Sequence, residues 1–278
     1  MGLRIGTNIT AINAQKSLWG TKVNMDRAMS RLSSGNRINH ASDDAAGLAI
    51  SDSLRAQIRG FKQAHRNSLD GVSLIQTAEG GLSEISNMLV RLRELGVQAA
   101  SDTLGDRERG LVNVEYAQML EEIDRITRST EFNGMPLLTG QGGMLDFQIG
   151  IKNSALIDRI SFDTAAANAS TEALGLNLAS VKSKLEAQES LAKVDEAIHY
   201  VNKLRANFGA IQNRLNSTME NIQTNIENFS AANSRIKDAD IAEESAELAK
   251  NNVLLQAGTA VLGQANQQPN LALQLLKS

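Results

Sequence analysis

Residues 194–236 read VDEAIHYVNKLRANFGAIQNRLNSTMENIQTNIENFSAANSRI and carry an apolar side chain at every seventh position without interruption. The members of this series are Val194, Val201, Phe208, Leu215, Ile222, Phe229 and Ile236. Because seven residues span about two turns of α-helix, the series forms a narrow apolar seam that packs against another helix. A second seam, interrupted once at Ser68, consists of Leu54, Phe61, Ile75, Leu82 and Leu89. The sequence therefore predicts two long helices whose seams cover each other.

The composition of the 278 residues favours long helices over a globular core. Apolar residues make up 42% of the chain, but only 3% are aromatic and only Pro136 and Pro269 are proline. Bulky core residues are scarce and helix formers are plentiful, which is typical of helical rods and bundles. The predicted fold class is mainly α: an elongated antiparallel helical bundle or coiled coil, with paired terminal helices, longer outer helices and one small β-hairpin.

Charge, cysteine content and hydropathy argue against several classes of function. The net charge is -3 and no block of Lys or Arg occurs, whereas a nucleic-acid-binding surface needs clustered positive charge. Without cysteine there are no disulfides and no thiolate metal sites. No run of 18 apolar residues occurs, and the opening MGLRIGTNIT lacks the apolar core of a secretory signal. We therefore expect no nucleic-acid partner, no membrane insertion and no export by the general signal-peptide route.

Turn and capping residues divide the first half of the chain into three helices. The first is amphipathic and should end near Gly35, because glycine favours turns over helix interiors. Its apolar residues are Ile5, Ile9, Ile12, Trp19 and Val23. The side chains of residues 42–44 offer N-capping oxygens to a second helix that should run to about Ala100. A break near residues 102–105 then precedes the third helix.

The middle of the chain changes from a helical to an alternating pattern. Leu145, Phe147 and Ile149 alternate with polar residues, and further apolar residues follow a polar stretch, so we predict a β-hairpin at about residues 139–165. Helix should resume by about Val181 and continue to Ile236. A change of seven-residue register near residues 237–240 predicts a break before a terminal helix.

The terminal helix has no charged side chain from Asn251 to Leu276, although many of its residues are apolar. Contiguous exposed apolar surface marks a site of association, so we expect other chains to cover this helix, with the first helix as its neighbour. The residues that we expect to mediate self-assembly are Ile5, Ile9, Ile12, Leu248, Leu255, Leu262, Leu271 and Leu275. Composition alone leaves open that the segment is a buried core helix of a monomer.

The sequence offers little basis for catalysis or for a bound cofactor. The three histidines, at positions 40, 65 and 199, are not spaced as a pair of metal ligands. The adjacent Asp43 and Asp44 point in different directions on a helix, so N-capping explains them better than a paired-carboxylate site. The segment TGQGGML lacks the Lys-Ser/Thr and helix start of a phosphate-binding loop and predicts a turn. We expect neither an enzyme nor a cofactor or metal site.

Both halves of the chain contain several longer motifs. In the first half these are RLSSGNRINHASDDAAGLAIS at 31–51, DGVSLIQTAEGGLSE at 70–84 and EEIDRITRSTEFNGMPLL at 121–138. In the second half they are RANFGAIQNRL at 205–215, SRIKDADIAEE at 234–244 and VLGQANQQPNLALQLL at 261–276. Together these motifs closely resemble those of bacterial flagellin, the subunit of the flagellar filament. The nearest alternative is a relative in the same organelle, the protein that joins hook to filament. An intracellular coiled-coil scaffold would also explain the seams, and it predicts soluble, discrete oligomers instead of long polymers.

The resemblance implies a domain arrangement and a set of partners. Residues 1–43 and 237–278 would pair as terminal helices in the inner core of an extracellular filament that serves motility. Residues 44–236 would form an outer helical rod with the hairpin and without large variable domains. The resemblance also implies export of the unfolded chain through the flagellar secretion channel, with an export chaperone, a filament cap and hook-junction proteins as partners.

The family resemblance further suggests contact with a host innate immune receptor through the motif RELxVQ and a glutamate opposite it. The matching residues here are Arg91, Leu95, Gln98 and Glu115. The structural alternative is that Leu95 packs in the core and Arg91 is an ordinary surface charge.

Gly96 stands in this motif where alanine is usual, and a glycine inside a helix costs about 1 kcal/mol relative to alanine. We therefore expect the second helix to be locally softer there.

Overall fold

The computed structural model describes residues 7–277, and within 269–277 it describes the helical backbone alone. The predictions for Ile5 and for the side chains of Leu271 and Leu275 lie outside the described residues. The chain divides into two compact units. One contains the chain up to Ala56 and from Asn228 onward, and the other contains Gln57–Glu227.

The described residues contain five α-helices, one short 3-10 helix (Ala165–Ala167) and four short strands. The helices are α1 (Ile9–Ser34), α2 (Ala45–Ala100), α3 (Asp106–Ser129), α4 (Lys184–Lys237) and α5 (Ile241–Lys277). The strands are β1 (Glu131–Phe132), β2 (Met135–Pro136), β3 (Met144–Gln148) and β4 (Arg159–Asp163). The predicted mainly α fold class is confirmed, and the predicted helix boundaries lie close to those observed. None of the helices within the described range is both long and apolar enough to cross a membrane.

In the first unit, capping residues set the ends of the helices. The side chain of Asn8 accepts a hydrogen bond from the backbone N–H of Ala11 at 3.1 Å and so caps α1. Gly35 ends α1 with φ 70°, a left-handed conformation that glycine adopts without steric cost. Asp44 caps α2 through the N–H of Gly47 at 2.8 Å. Asp43 instead accepts the N–H groups of His40 and Asn39, and these bonds lower the pKa of its carboxyl.

In the second unit, the two predicted seams share one hydrophobic core. Ile75, Leu82 and Leu89 of α2 are buried in the same cluster as four consecutive seam residues of α4. Those four are Val194, Val201, Phe208 and Leu215. The ion pairs Arg93–Asp195 at 2.7 Å and Arg205–Glu79 at 3.7 Å join the same two helices and show that they run antiparallel.

The interruption of the α2 seam at Ser68 has a local explanation. Ser68 is fully buried, and its hydroxyl donates to the carbonyl oxygen of Ala64 at 2.9 Å, so the polar group is satisfied within its own helix. The large core lies on one side of Ser68. A small separate cluster lies on the other side and consists of Ala64, Ile222 and Ile226, with Phe61 packed against this cluster. The seam therefore continues past the serine in a second apolar cluster.

The loop from α2 to α3 is held by a charged residue that the periodicity did not mark. Arg109 is buried, and its guanidinium donates to the carbonyl oxygens of Ala99 and Ser101, each at 2.9 Å. A third bond, also at 2.9 Å, reaches the carboxylate of Asp106. Arg109 thus satisfies carbonyl groups at the C-terminal end of α2 that have no partner within the helix.

The predicted hairpin is present, and a smaller one precedes it. β3 and β4 pair antiparallel with Leu145 opposite Phe162 and Phe147 opposite Ile160, within the predicted range. β1 and β2 form a second pair that the sequence analysis did not predict, because strands of two residues are too short to show alternation. Asn133 and Gly134 join them with φ 51° and 77°, the left-handed values of a tight two-residue hairpin turn.

The segment between α3 and α4 lies close to α2 at positions where α2 has glycine. A Cβ at Gly71 would lie 3.1 Å from the ring of Phe147, and one at Gly60 would lie 2.9 Å from the side chain of Ile151. A Cβ at Gly81 would lie 2.9 Å from Leu138. These glycines cost helix stability, but they let the hairpin region approach the helix backbone.

Two other helical glycines allow a comparison of helix propensity with packing. Nothing lies within 4 Å of a Cβ at Gly209 of α4, whereas a Cβ at Gly96 would lie 3.0 Å from the side chain of Leu191. We expect Gly209→Ala to raise the free energy of unfolding by about 1 kcal/mol and Gly96→Ala to raise it by less than half as much, because Leu191 must shift. Urea unfolding of both variants measures the difference, and an equal or larger gain at Gly96 would contradict it.

Candidate assembly surfaces

The inner face of α1 mixes alanine with larger residues and packs antiparallel against α5. Its less exposed residues recur with the 3-4 spacing of a heptad seam, and they are Ala11, Ala14, Leu18, Thr21, Met25, Ala28 and Leu32. The corresponding residues of α5 are Glu244, Leu248, Asn251, Leu255, Gly258, Leu262 and Ala265. A Cβ at Gly258 would lie 2.6 Å from the side chain of Leu18, so the glycine permits the close approach at this crossing. The two terminal helices are thus paired within one chain.

Polar contacts fix both ends of this helix pair. Near one end, the side chain of Asn8 donates to the carbonyl oxygen of Ala265 at 2.7 Å. Near the other, the guanidinium of Arg31 bonds to the carboxylate of Glu244 at 2.8 Å, with the two side chains 25% and 11% exposed. Charged pairs that are largely withdrawn from water are costly to break, because the remaining charge is left without a partner. The heptad pattern alone did not reveal this pair.

The turn that follows α1 and the turn that precedes α5 lie side by side. The turn after α1 and the turn before α5 form an isolated antiparallel bridge between Asn36 and Asp238. The N–H of Arg37 donates to the carbonyl oxygen of Lys237 at 2.7 Å, and the N–H of Ala239 donates to that of Gly35 at 3.0 Å. The predicted loop after Gly35 and the predicted break at residues 237–240 are therefore two sides of one structural feature.

Large apolar side chains lie on the outer face of α1. Ile9, Ile12 and Trp19 are 53%, 54% and 70% exposed, and Val23 is also exposed. Each lies two residues from a member of the inner seam, which is about 200° around the helix, so these residues occupy the opposite side. On α5, Val253, Leu254 and Val261 are likewise exposed. Exposed apolar surface of this extent is typical of a protein that associates.

The predicted self-assembly residues therefore divide into two groups. Ile9 and Ile12 are exposed on the outer face of α1, whereas Leu248, Leu255 and Leu262 are half-buried on the face of α5 that meets α1. Sequence periodicity put both groups on apolar faces but did not separate the face that pairs within the chain from the face that stays open.

The residues considered for receptor contact are only partly brought together on the surface. The guanidinium of Arg91 bonds to the carboxylate of Glu115 at 2.7 Å and to that of Glu94 at 3.0 Å, and these bonds, chiefly the one to Glu115, raise the pKa of Arg91. Gln98 is exposed. Leu95 is only 1% exposed and belongs to the core of the second unit, where it is not available for direct contact.

No group of three or more His, Asp or Glu residues in the described part of the chain is arranged to hold a metal ion. Tyr116 has a fully buried ring, and burial raises the pKa of its phenol. Its position inside the packed core gives no access for a substrate.

Comparison with known proteins gives matches over most of the chain. The bacterial flagellin N-terminal helical region matches residues 5–142, and the bacterial flagellin C-terminal helical region matches residues 191–276. The chain is 43% identical over 274 residues to a flagellin of Halalkalibacterium halodurans, covering 98% of this chain and 99% of the relative. It is 42% identical over 309 residues to a flagellin of Bacillus subtilis, covering 99% of this chain and 100% of the relative.

A solved structure shows a similar fold. The crystal structure of Bacillus cereus flagellin matches with a TM-score of 0.51 and 32% sequence identity, covering 60% of this chain and 94% of that chain.

The pairing of α1 and α5 can be tested at its buried ion pair. Arg31→Ala leaves the Glu244 carboxylate without its partner, so we expect the free energy of opening of the helix pair to fall by about 2 kcal/mol. Hydrogen exchange of the α1 amides measures this opening. Arg27→Ala removes an exposed arginine from the same helix and should change protection little. Equal protection in both variants would show that the ion pair does not hold the helices together.

Proposed function

This chain belongs to the bacterial flagellin family, and on that premise we propose that its terminal helices join each subunit to its neighbours. It is a structural subunit of the extracellular flagellar filament. We assign residues 1–43 and 237–278 to the inner core of the polymer and residues 44–236 to an outer helical rod that carries the hairpin.

The observation that carries this proposal is the open apolar face of α1. Ile9 and Ile12 expose about half of their surface in the single chain, although α1 already has α5 as a partner. Burying such side chains against another subunit contributes roughly 25 cal/mol for each Å² of apolar surface. Helix α5 adds exposed apolar residues but no charge between Asn251 and Gln268, so a neighbour can cover it without burying an unpaired ion.

The two groups of predicted residues then have different roles. Ile9 and Ile12 contact other subunits directly, whereas Leu248, Leu255 and Leu262 hold α5 against α1 and so present the open face. We retain Ile5, Leu271 and Leu275 in the assembly surface on the sequence pattern. The family resemblance further supports export as an unfolded chain, with an export chaperone, a filament cap and hook-junction proteins as partners.

A substitution on the open face tests this proposal. Ile12→Asp places a charge where a neighbouring subunit should exclude water, so we expect polymerisation seeded by filament fragments to be lost. Because Ile12 is exposed in the single chain, the helix content of the subunit should not change. Sedimentation and negative-stain microscopy measure the polymer, and circular dichroism measures the helix content.

Two matched variants separate assembly from folding. Asn24→Asp adds the same charge to α1 at an exposed polar position outside the apolar face and should assemble normally. Leu255→Asp instead places the charge on the half-buried face of α5, so both the helix pair and the polymer should be lost. Normal filaments from Ile12→Asp would refute the proposed interface.

A second function, recognition by a host innate immune receptor, is favoured by one observation. Arg91, Glu94 and Glu115 form a cluster of charges on the exposed surface of α2 and α3, at the positions that the family motif suggests. We propose that Arg91, Gln98 and Glu115 form the contact, and that Leu95 supports it from the core.

Substitution of Arg91 tests receptor recognition. Arg91→Ala removes the centre of the charged cluster, and we expect the response of receptor-expressing reporter cells to fall by about tenfold or more. Arg125→Ala is the matched control, because Arg125 also pairs with a glutamate on an exposed helical surface. Equal responses to wild type, Arg91→Ala and Arg125→Ala would remove this hypothesis.

A further inference from the structure

The only tryptophan of the chain, Trp19, is 70% exposed on the outer face of α1. Tryptophan has a large apolar ring and one N–H donor, and it is enriched among the residues that dominate protein interfaces. Ile12 and Val23, seven residues before it and four after it, share its side of the helix and are exposed as well. Trp19 is thus the largest member of an exposed apolar ridge on α1.

A groove lies between α1 and α5. Its walls and floor are formed by Ala14, Ser17, Leu18, Thr21, Leu254, Ala257, Gly258 and Val261, and its volume is about 280 Å³. Several of the lining residues are small, which leaves the groove open. Gly258 has no side chain, so the backbone of α5 lies close to Leu18 at this point. None of its lining residues is charged. The groove is therefore suited to a large uncharged side chain.

The groove also offers polar partners for an indole. Ser17 and Thr21 line its α1 wall and each carries a hydroxyl group, and that of Thr21 donates to the carbonyl oxygen of Ser17 at 3.1 Å. Because a hydroxyl oxygen can accept while it donates, either one can receive the N–H of a docked tryptophan. A buried indole normally requires such a partner.

The ridge and the groove face in different directions on the same helix pair. Trp19 lies two residues from both Ser17 and Thr21, which is about 200° around α1 from each. Its side chain therefore cannot enter the groove of its own chain, but it can enter that of another. A contact between two different surfaces of identical chains leaves one of each surface free, so it extends into an open polymer when the rotation between subunits does not close a ring.

We propose that the indole of Trp19 docks in the groove between α1 and α5 of a second copy of this chain. This inference rests on the proposed function, because it specifies which surfaces meet when the terminal helices join subunits. A homopolymer subunit supplies the occupant, and the uncharged groove matches the uncharged ridge.

Because the chain has a single tryptophan, its fluorescence reports on this contact directly. We expect the emission maximum of the full-length subunit to shift to shorter wavelength when seeded polymerisation buries the ring. Iodide quenching should fall at least about threefold in the polymer, since the exposed fraction of the ring decreases. Polymer that forms with unchanged emission and quenching would overturn this inference while leaving the proposed function intact. A complete failure of the wild-type chain to polymerise would overturn both.

Substitutions identify the groove as the site that receives the ring. Trp19→Ala removes the ring, and Ala257→Gln fills the groove. Each should raise the protein concentration needed for polymerisation by about tenfold or more. Trp19→Phe retains an aromatic ring and should stay near the wild-type value. In the double variant Trp19→Ala/Ala257→Gln, the two effects should not add, because both remove the same contact.

Matched controls exclude general effects of these changes. Met29→Ala removes another exposed apolar side chain from α1, and Ala249→Gln enlarges an exposed alanine of α5 outside the groove. Both should polymerise as the wild type does. If Ala257→Gln polymerises normally and Trp19 is still buried in its polymer, the ring docks elsewhere and the inference is wrong.

Discussion

Close packing of α1 against α5 is the constraint on which the assembly surfaces depend. Alanine and glycine occupy five of the fourteen facing positions, and a Cβ at residue 258 would lie 2.6 Å from the side chain of Leu18. The inner face of α1 alternates alanine with larger residues such as Leu18 and Met25, whereas Ile12 and Trp19 lie on its outer face. Helix α1 contacts α5 partly through alanine residues, and its exposed isoleucine and tryptophan side chains remain available for contact with another chain. Pairing within the chain and association between chains therefore use different surfaces of the same helix.

Much of the fold could be predicted because the seams are long and regular. The heptad series located α2 and α4 and their mutual packing, since a repeated apolar spacing over many turns has few other structural explanations. The small hairpin of β1 and β2 was missed because two-residue strands show no periodicity. The hydrogen bonds from Arg109 to the carbonyl oxygens of Ala99 and Ser101 were missed for another reason. They depend on tertiary geometry, which a local sequence pattern does not contain.

The candidate surfaces were only partly predictable. α1 carries two apolar series, one rich in alanine and one containing Ile9 and Ile12, and hydropathy emphasises the larger residues. Which series faces α5 depends on how closely the helices approach, and that depends on Gly258 and its contact with Leu18. In the second unit, the motif around Arg91 looked uniform in sequence, but the helix turns Leu95 into the core and leaves Arg91 and Gln98 outside. Sequence patterns identified the elements, whereas packing decided the exposure of individual side chains.

The hydrogen bond from Asn8 to Ala265 joins residues that are 257 positions apart. Closing so long a loop is entropically unfavourable until the intervening chain is organised, so the pairing of α1 with α5 is expected late in folding. A polypeptide that lost either terminal helix would leave the other without its partner and could not build the combined surface. Incorporation into the growing polymer would then act as a check on chain integrity, because only a product with both ends intact would qualify as a building block.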